Sequence, residues 1–176
     1  LVIGGSGQIG SAIIQCFGDT NCVGTYCHST HKEGMIHFDM ECASVPGYTE
    51  DMFEMIMPTH VFICTGFTWV DGCEEDKQKC DKLNHTMPAH VCKVAKKYNC
   101  KTIWFSTDYV FDGLNGPFRE DIIPNPVNEY GRAKLRGEIA MQQLDPTSLI
   151  LRTNMVYGPD PNRKHFVCQM LDAKVG

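Results

Sequence analysis

The 176-residue chain is 43% hydrophobic and 21% charged, an ordinary globular composition with enough length for one sizeable core. Its net charge of −5 argues against a nucleic-acid surface, for which a basic face is expected. No apolar run approaches the ~20 residues of a membrane span and no signal peptide is visible, so a cytoplasmic protein without a membrane partner is expected.

The ten cysteines scatter without C-x-x-C spacing, and Cys16, Cys22, Cys64, Cys92 and Cys168 lie in apolar runs. They read as reduced thiols of a cytosolic protein rather than disulfides or zinc ligands. The seven histidines, among them His28, His31 and His37, show no ligand spacing, so no metal is expected. The sequence opens inside an apolar run and stops just after a helical pattern. It is therefore read as a single domain over residues 1–176, truncated at both ends.

Leu1-Val2-Ile3 reads as the end of a buried strand. Gly4-Gly5-Ser6-Gly7-Gln8-Ile9-Gly10 follows, then helical periodicity through Ala12, Ile13, Cys16 and Phe17. Strand, glycine loop and helix in that order are the context a dinucleotide fingerprint requires. Gly4 permits the tight turn, Gly7 lets the backbone approach a pyrophosphate, and Gly10 lets helix and strand pack closely. The helix N-terminus, with the N–H groups around Gln8 and Ile9, offers donors to phosphate. The alternative for the bare motif is a glycine-rich turn of no consequence.

A second strand is expected over residues 22–26. No Asp or Glu follows it to bond a ribose 2′-hydroxyl; instead come His28, Ser29, Thr30, His31 and Lys32. Hydroxyls, imidazoles and an ammonium suit a 2′-phosphate, which favours NADP(H) while leaving NAD(H) possible. Any one of these residues could equally be a solvated loop position. Residues 35–38 resemble a short third strand ending at Asp39 and Met40, where an adenine could be flanked.

An amphipathic helix is expected over 48–57, stopped by Pro58, then a strand at 60–64 running into Gly66. A polar stretch, 71–81, leads to a helix over 83–98. A fifth strand at 101–105 ends in Ser106-Thr107-Asp108-Tyr109-Val110-Phe111-Asp112-Gly113. The proline-bearing stretch 114–128 reads as a loop, and 130–144 as a helix. A sixth strand at 148–152, then Thr153-Asn154-Met155-Val156, precedes a last helix over 165–173. Strands alternating with helices imply an α/β fold with a doubly wound parallel sheet, with ligands gathering at the strands' carboxyl ends.

Tyr130 and Lys134 stand four apart on the expected sixth-strand approach helix, so their side chains share one face. An adjacent ammonium favours phenolate, so a lowered Tyr130 pKa is expected. Thr107 could simply cap a turn. Arg152 could act structurally at its strand end, and Arg119 could meet a phosphate.

The glycine loop, Thr107 and Tyr-x-x-x-Lys together resemble the extended short-chain dehydrogenase/reductases. Gly4, Gly7 and Gly10 match the glycines of that family's T-G-x-x-G-x-x-G loop, although Ile3 replaces its Thr. The runs 106–113, Pro117-Phe118-Arg119-Glu120 and Tyr130-Gly131-Arg132-Ala133-Lys134-Leu135-Arg136-Gly137-Glu138 are similar to the dTDP-4-dehydrorhamnose reductase family. That family includes the regulatory beta subunit of methionine adenosyltransferase.

The resemblance implies a Rossmann domain whose smaller C-terminal substrate lobe is mostly absent from this chain. It implies NAD(P)H-dependent reduction of a 4-keto nucleotide sugar, with Thr107, Tyr130 and Lys134 catalytic. Cofactor contacts would come from Gly4, Gly7, Gln8, Ile9, Gly10, His28, Ser29, Lys32, Asp39, Met40, Gly66, Tyr130, Lys134 and Thr153. The implied partners are a nucleotide sugar and a second copy of the chain or, for a regulatory member, a methionine adenosyltransferase catalytic subunit. A nucleotide-sugar epimerase or dehydratase uses the same Tyr and Lys and is a further alternative.

Overall fold

The computed structural model describes residues 1–18, 20–28, 33–114, 116–158 and 166–173, with only the backbone of Phe166. Strands and helices alternate: β1 (Val2–Ile3), α1 (Gln8–Phe17), β2 (Thr25–Tyr26), β3 (Ile36–His37), α2 (Tyr48–Ile56) and β4 (His60–Ile63). Then come α3 (Val70–Glu75), α4 (Lys77–Asp81), a π-helical turn (Lys82–Thr86), α5 (Met87–Lys97) and β5 (Lys101–Thr107). The chain continues through α6 (Glu129–Leu144), β6 (Leu149–Thr153) and α7 (Phe166–Asp172).

Strands β1, β4, β5 and β6 form one sheet in that order, and every pairing is parallel. Strands β2 and β3 pair in parallel beside it, joined to β1 by a bridge between Val2 and Gly24 and by Val2 N–H to Val23 O (2.8 Å). Across the molecule the order is therefore β3-β2-β1-β4-β5-β6. The order reverses between β1 and β4, which opens a crevice at their carboxyl ends. The doubly wound parallel fold is as expected.

Helices cover both faces. Along β4 successive side chains point to opposite sides. Val61 and Ile63 join the core that also holds Phe53 of α2, Val91 of α5, Trp104 of β5 and Met141 of α6. Phe62 points the other way and meets the ring of Phe17 at the end of α1 (centroids 5.8 Å apart). Burying an apolar side chain of this size contributes about 1.5–3 kcal/mol, which makes this core the main source of stability.

Two expectations need correction, and the polar stretch 71–81, for which no element was expected, is helical. Asp76 caps α4 by accepting from Lys79 N–H (2.9 Å), and Cys73 and Cys80 are buried against Tyr130 and Ala133. The polar residues thus occupy one side of short helices whose thiols supply the apolar side. The expected strand at 22–26 pairs as β2 over Thr25–Tyr26 alone, preceded by the Gly24 bridge. Strand β5 runs on to Thr107, two residues past the apolar run, because β6 keeps pairing with it as far as Thr107↔Thr153.

Among the described residues no helix is long and apolar enough to cross a membrane, and none of the His, Cys, Asp and Glu side chains group in threes able to hold a metal.

Candidate active site

A cleft of about 980 Å³ opens where the strand order reverses. Its floor is the glycine loop. Gly4 adopts φ +84°, a left-handed conformation that favours glycine. A Cβ at Gly10 would run into the backbone of Gly4 and Gly5, so Gly10 is what allows α1 to start so close to β1. Gly7 is the N-cap of α1 and brings no side-chain cap, which leaves the first-turn N–H groups available to an anion.

The far wall comes from the ends of β5 and β6 and from α6. Asn128 caps α6 by accepting from Gly131 N–H (2.8 Å), which fixes the first helical turn and with it Tyr130. Tyr130 packs edge-on against Tyr109 (centroids 5.7 Å apart, 72° between planes). Thr107 accepts from Tyr109 N–H (3.2 Å) and donates to the Asp108 carboxylate (3.3 Å), so it does cap the turn that follows β5. The capping holds its hydroxyl on the cleft side with the phenol, where it favours the ionised form of Tyr130. Lys134 is 4% exposed, and its Nζ donates to Phe105 O (2.9 Å).

The electrostatics differ from the expectation for Tyr130. Burial pushes the phenol up to about 12; the Thr107 hydroxyl pulls it down, and Cys73, Asp108 and Cys80 add to the rise. Lys134 is itself held down to about 8 by burial, against the pull of Glu138, Cys80 and Cys73. The ammonium spends its hydrogen bond on the Phe105 carbonyl, and the phenol stays protonated at neutral pH. Spacing four residues apart set the shared face; the local partners set the proton affinities.

Thr107, Tyr130, Lys134, Gly4, Gly7, Gln8, Ile9, His28, Gly66 and Thr153 all line this cleft. Three expected contacts do not. Gly10 packs behind the loop, and Met40 is buried in the core. Asp39 caps the helical turn over Met40–Cys42, accepting from Glu41 N–H (2.9 Å), while its own N–H donates to the Tyr48 hydroxyl (2.8 Å). Ser29 and Lys32 fall outside the described residues.

The structure adds residues the sequence reading did not single out. Asn84 is fully buried at the π-helical turn, and its amide both accepts from Phe67 N–H (3.1 Å) and donates to Phe67 O (2.8 Å). That clamp fixes the cleft-lining loop after β4. Thr65 and Ser106 also line the cleft, and their hydroxyls are buried without a hydrogen-bond partner among the described residues. Buried polar groups are normally satisfied, so both are placed to serve a polar ligand. Only the irregular helical turn marks Asn84, and a turn of that kind is not legible in a sequence.

Fold and site together define a doubly wound α/β domain of the extended short-chain dehydrogenase/reductase class. The model of the RmlD substrate binding domain family matches residues 1–175, and the chain belongs to that family. It is 35% identical to the probable low-salt glycan biosynthesis reductase Agl14 of Haloferax volcanii, over 89% of this chain and 53% of that protein. It is 29% identical to methionine adenosyltransferase 2 subunit beta of Xenopus laevis, over 90% of this chain and 47% of that protein. A crystal structure of a hypothetical dTDP-4-dehydrorhamnose reductase from Sulfolobus tokodaii superposes with a TM-score of 0.79 at 32% identity, covering 89% of this chain and 56% of that one. The chain thus spans about half the length of the curated relatives it matches.

Proposed function

We propose that this chain is the nicotinamide-dinucleotide-binding and proton-donating half of a reductase that converts a 4-keto nucleotide sugar into the alcohol. The reading rests on one observation: Thr107, Tyr130 and Lys134 meet in the same cleft as an uncapped helix N-terminus behind a glycine loop. The reductase names among its relatives support the reaction type.

The cleft fits such a cofactor. Gly4, Gly7, Gln8 and Ile9 would hold the pyrophosphate on backbone N–H groups, and His28 the adenosine ribose. Gly66, Thr153 and the two orphan hydroxyls would face the nicotinamide end. When bound, the reduced nicotinamide supplies hydride. The chain's own residues do the rest. Thr107 orients the keto oxygen and stabilises its growing charge. Tyr130, protonated at neutral pH, gives its proton to that oxygen. Lys134, charged below about pH 8, stabilises the tyrosinate left behind and holds the ribose hydroxyls.

NADP(H) is the favoured cofactor. The residues lining the β2 end of the cleft are Tyr26, Cys27 and His28, with no carboxylate among them, and Asp39 accepts from Glu41 N–H within its own helical turn. Tighter binding of NADH than NADPH would overturn this preference. The missing length corresponds to the substrate lobe, and a cytoplasmic location and a homodimer are part of the same reading.

A second reading, supported by the methionine adenosyltransferase relatives, is a subunit that keeps the fold and cofactor site but regulates a partner enzyme. NADPH oxidation by the full-length protein with dTDP-4-dehydrorhamnose and a panel of 4-keto nucleotide sugars decides between them. Turnover supports the reductase. No turnover, with a methionine adenosyltransferase co-purifying, supports the regulatory subunit.

A further inference from the structure

We infer that Trp104 is a positioning residue for Lys134: its indole face holds the ammonium in the cleft wall and keeps it charged. The inference deepens the reductase reading and rests on it for the role of Lys134, but the contact itself does not.

Lys134 Nζ lies 4.4 Å from the centre of the Trp104 ring, well within the range of a cation–π contact. Trp104 is fully buried in the main core, so its plane is fixed. The space it needs comes from α6 itself. A Cβ at Gly137, one turn beyond Lys134, would approach the far edge of the indole to 2.6 Å, so the helix can carry the lysine across the ring only with glycine there. The chain continues from Trp104 into Phe105, whose carbonyl accepts the hydrogen bond from Nζ at 2.9 Å. Two consecutive residues of β5 therefore define the ammonium position, one by its ring face and one by its carbonyl.

A buried ammonium needs such support because desolvation favours the neutral amine. The other titratable groups around it are few. Glu138, on α6, favours the charge but is shared with Arg152 of β6 (Nη2–Oε2 2.6 Å). Cys73 of α3 and Cys80 of α4 favour it when ionised, yet both are buried, and desolvation pushes Cys73 strongly upward. Tyr130, on α6, is neutral at physiological pH. From β5 come the Phe105 carbonyl and the ring. The Trp104 ring and the Phe105 carbonyl are thus the permanent, non-titrating partners on the strand side.

Fluorine NMR of the full-length protein labelled with fluorotryptophan tests the contact without cofactor or substrate. The Trp104 resonance, assigned by its loss in Trp104→Phe, is expected to shift with a midpoint near the Lys134 value of about 8 and to stay fixed in Lys134→Met. A resonance that does not titrate, or titrates equally in Lys134→Met, overturns the proposal.

In catalysis, Trp104→Leu is expected to move the alkaline limb of the kcat profile down by about one pH unit, with Trp104→Phe staying near wild type. Equal profiles for all three proteins also overturn it. If Trp104→Leu does not fold, the fluorine titration decides alone. If no substrate turns over, the reductase reading fails while the titration still reports on the contact.

Discussion

Glu138 and Arg152 face each other in a two-pronged ion pair, Nη2–Oε2 2.6 Å and Nε–Oε1 3.0 Å, that ties α6 to β6 one turn beyond Lys134. The Arg152 guanidinium also covers the Phe111 ring, 5.1 Å from its centre. One side chain therefore links the catalytic helix, the edge strand and the loop after β5.

Removing the arginine leaves a carboxylate only 7% exposed without its partner. Arg152→Leu should cost about 3 kcal/mol, as expected for breaking a buried pair on one side. Urea unfolding measures it. A loss below about 0.5 kcal/mol would show the pair to behave like a surface salt bridge.

Tyr130→Phe removes the proton donor and keeps the ring that packs on Tyr109. Turnover should fall by about 10²–10⁴-fold, with the Kd for NADPH essentially unchanged. Near-normal turnover would refute the assignment of the phenol as the acid.

Gly131 lies where α6 passes the turn after β5. A Cβ there would run into the Tyr109 carbonyl and come within 3.0 Å of Pro126. Gly131→Ala should destabilise by about 1–3 kcal/mol and lower kcat, because the turn that carries Thr107 and Tyr109 must move. Thermal unfolding and steady-state kinetics check both parts together.

Asn84→Ala strips both hydrogen bonds from Phe67 in a fully buried position. A loss of about 1–3 kcal/mol follows from the unpaired backbone groups. The loop after β4 should also loosen, so KM for the cofactor should rise. Wild-type KM together with wild-type stability would show that the clamp is dispensable.

Lys134 makes a prediction about pH. Its folded pKa, about 8, lies below the ordinary lysine value of 10.5. Between those pH values the unfolded chain binds more protons than the folded one, so this group makes stability rise with pH across that window. Below about pH 8 the folded protein carries the full cost of the buried cation. Lys134→Met should therefore stabilise the protein at pH 7 by roughly 3 kcal/mol. The gain should shrink by pH 10. A gain that does not depend on pH would mean that lysine burial is not its source.

The sequence by itself determined the alternation of strands and helices, the glycine loop and the face shared by Tyr130 and Lys134. These features depend on neighbours within a few positions: apolar periodicity, glycine at a turn, a helical repeat. The same local rules placed Thr107 at a strand end, although the strand proved two residues longer, because pairing with β6 is a contact across 46 positions and not a local preference. Asp39 and Met40 follow β3 as expected, yet one caps a turn and the other fills the core, which only packing could assign.

Tertiary structure alone decided the electrostatics of the pair. Spacing suggested an ammonium lowering a phenol; burial raised the phenol to about 12 and lowered the ammonium to about 8. Desolvation depends on what surrounds a group in three dimensions, and the partners that offset it here, Phe105 O and the Trp104 ring, lie about thirty residues earlier in the chain.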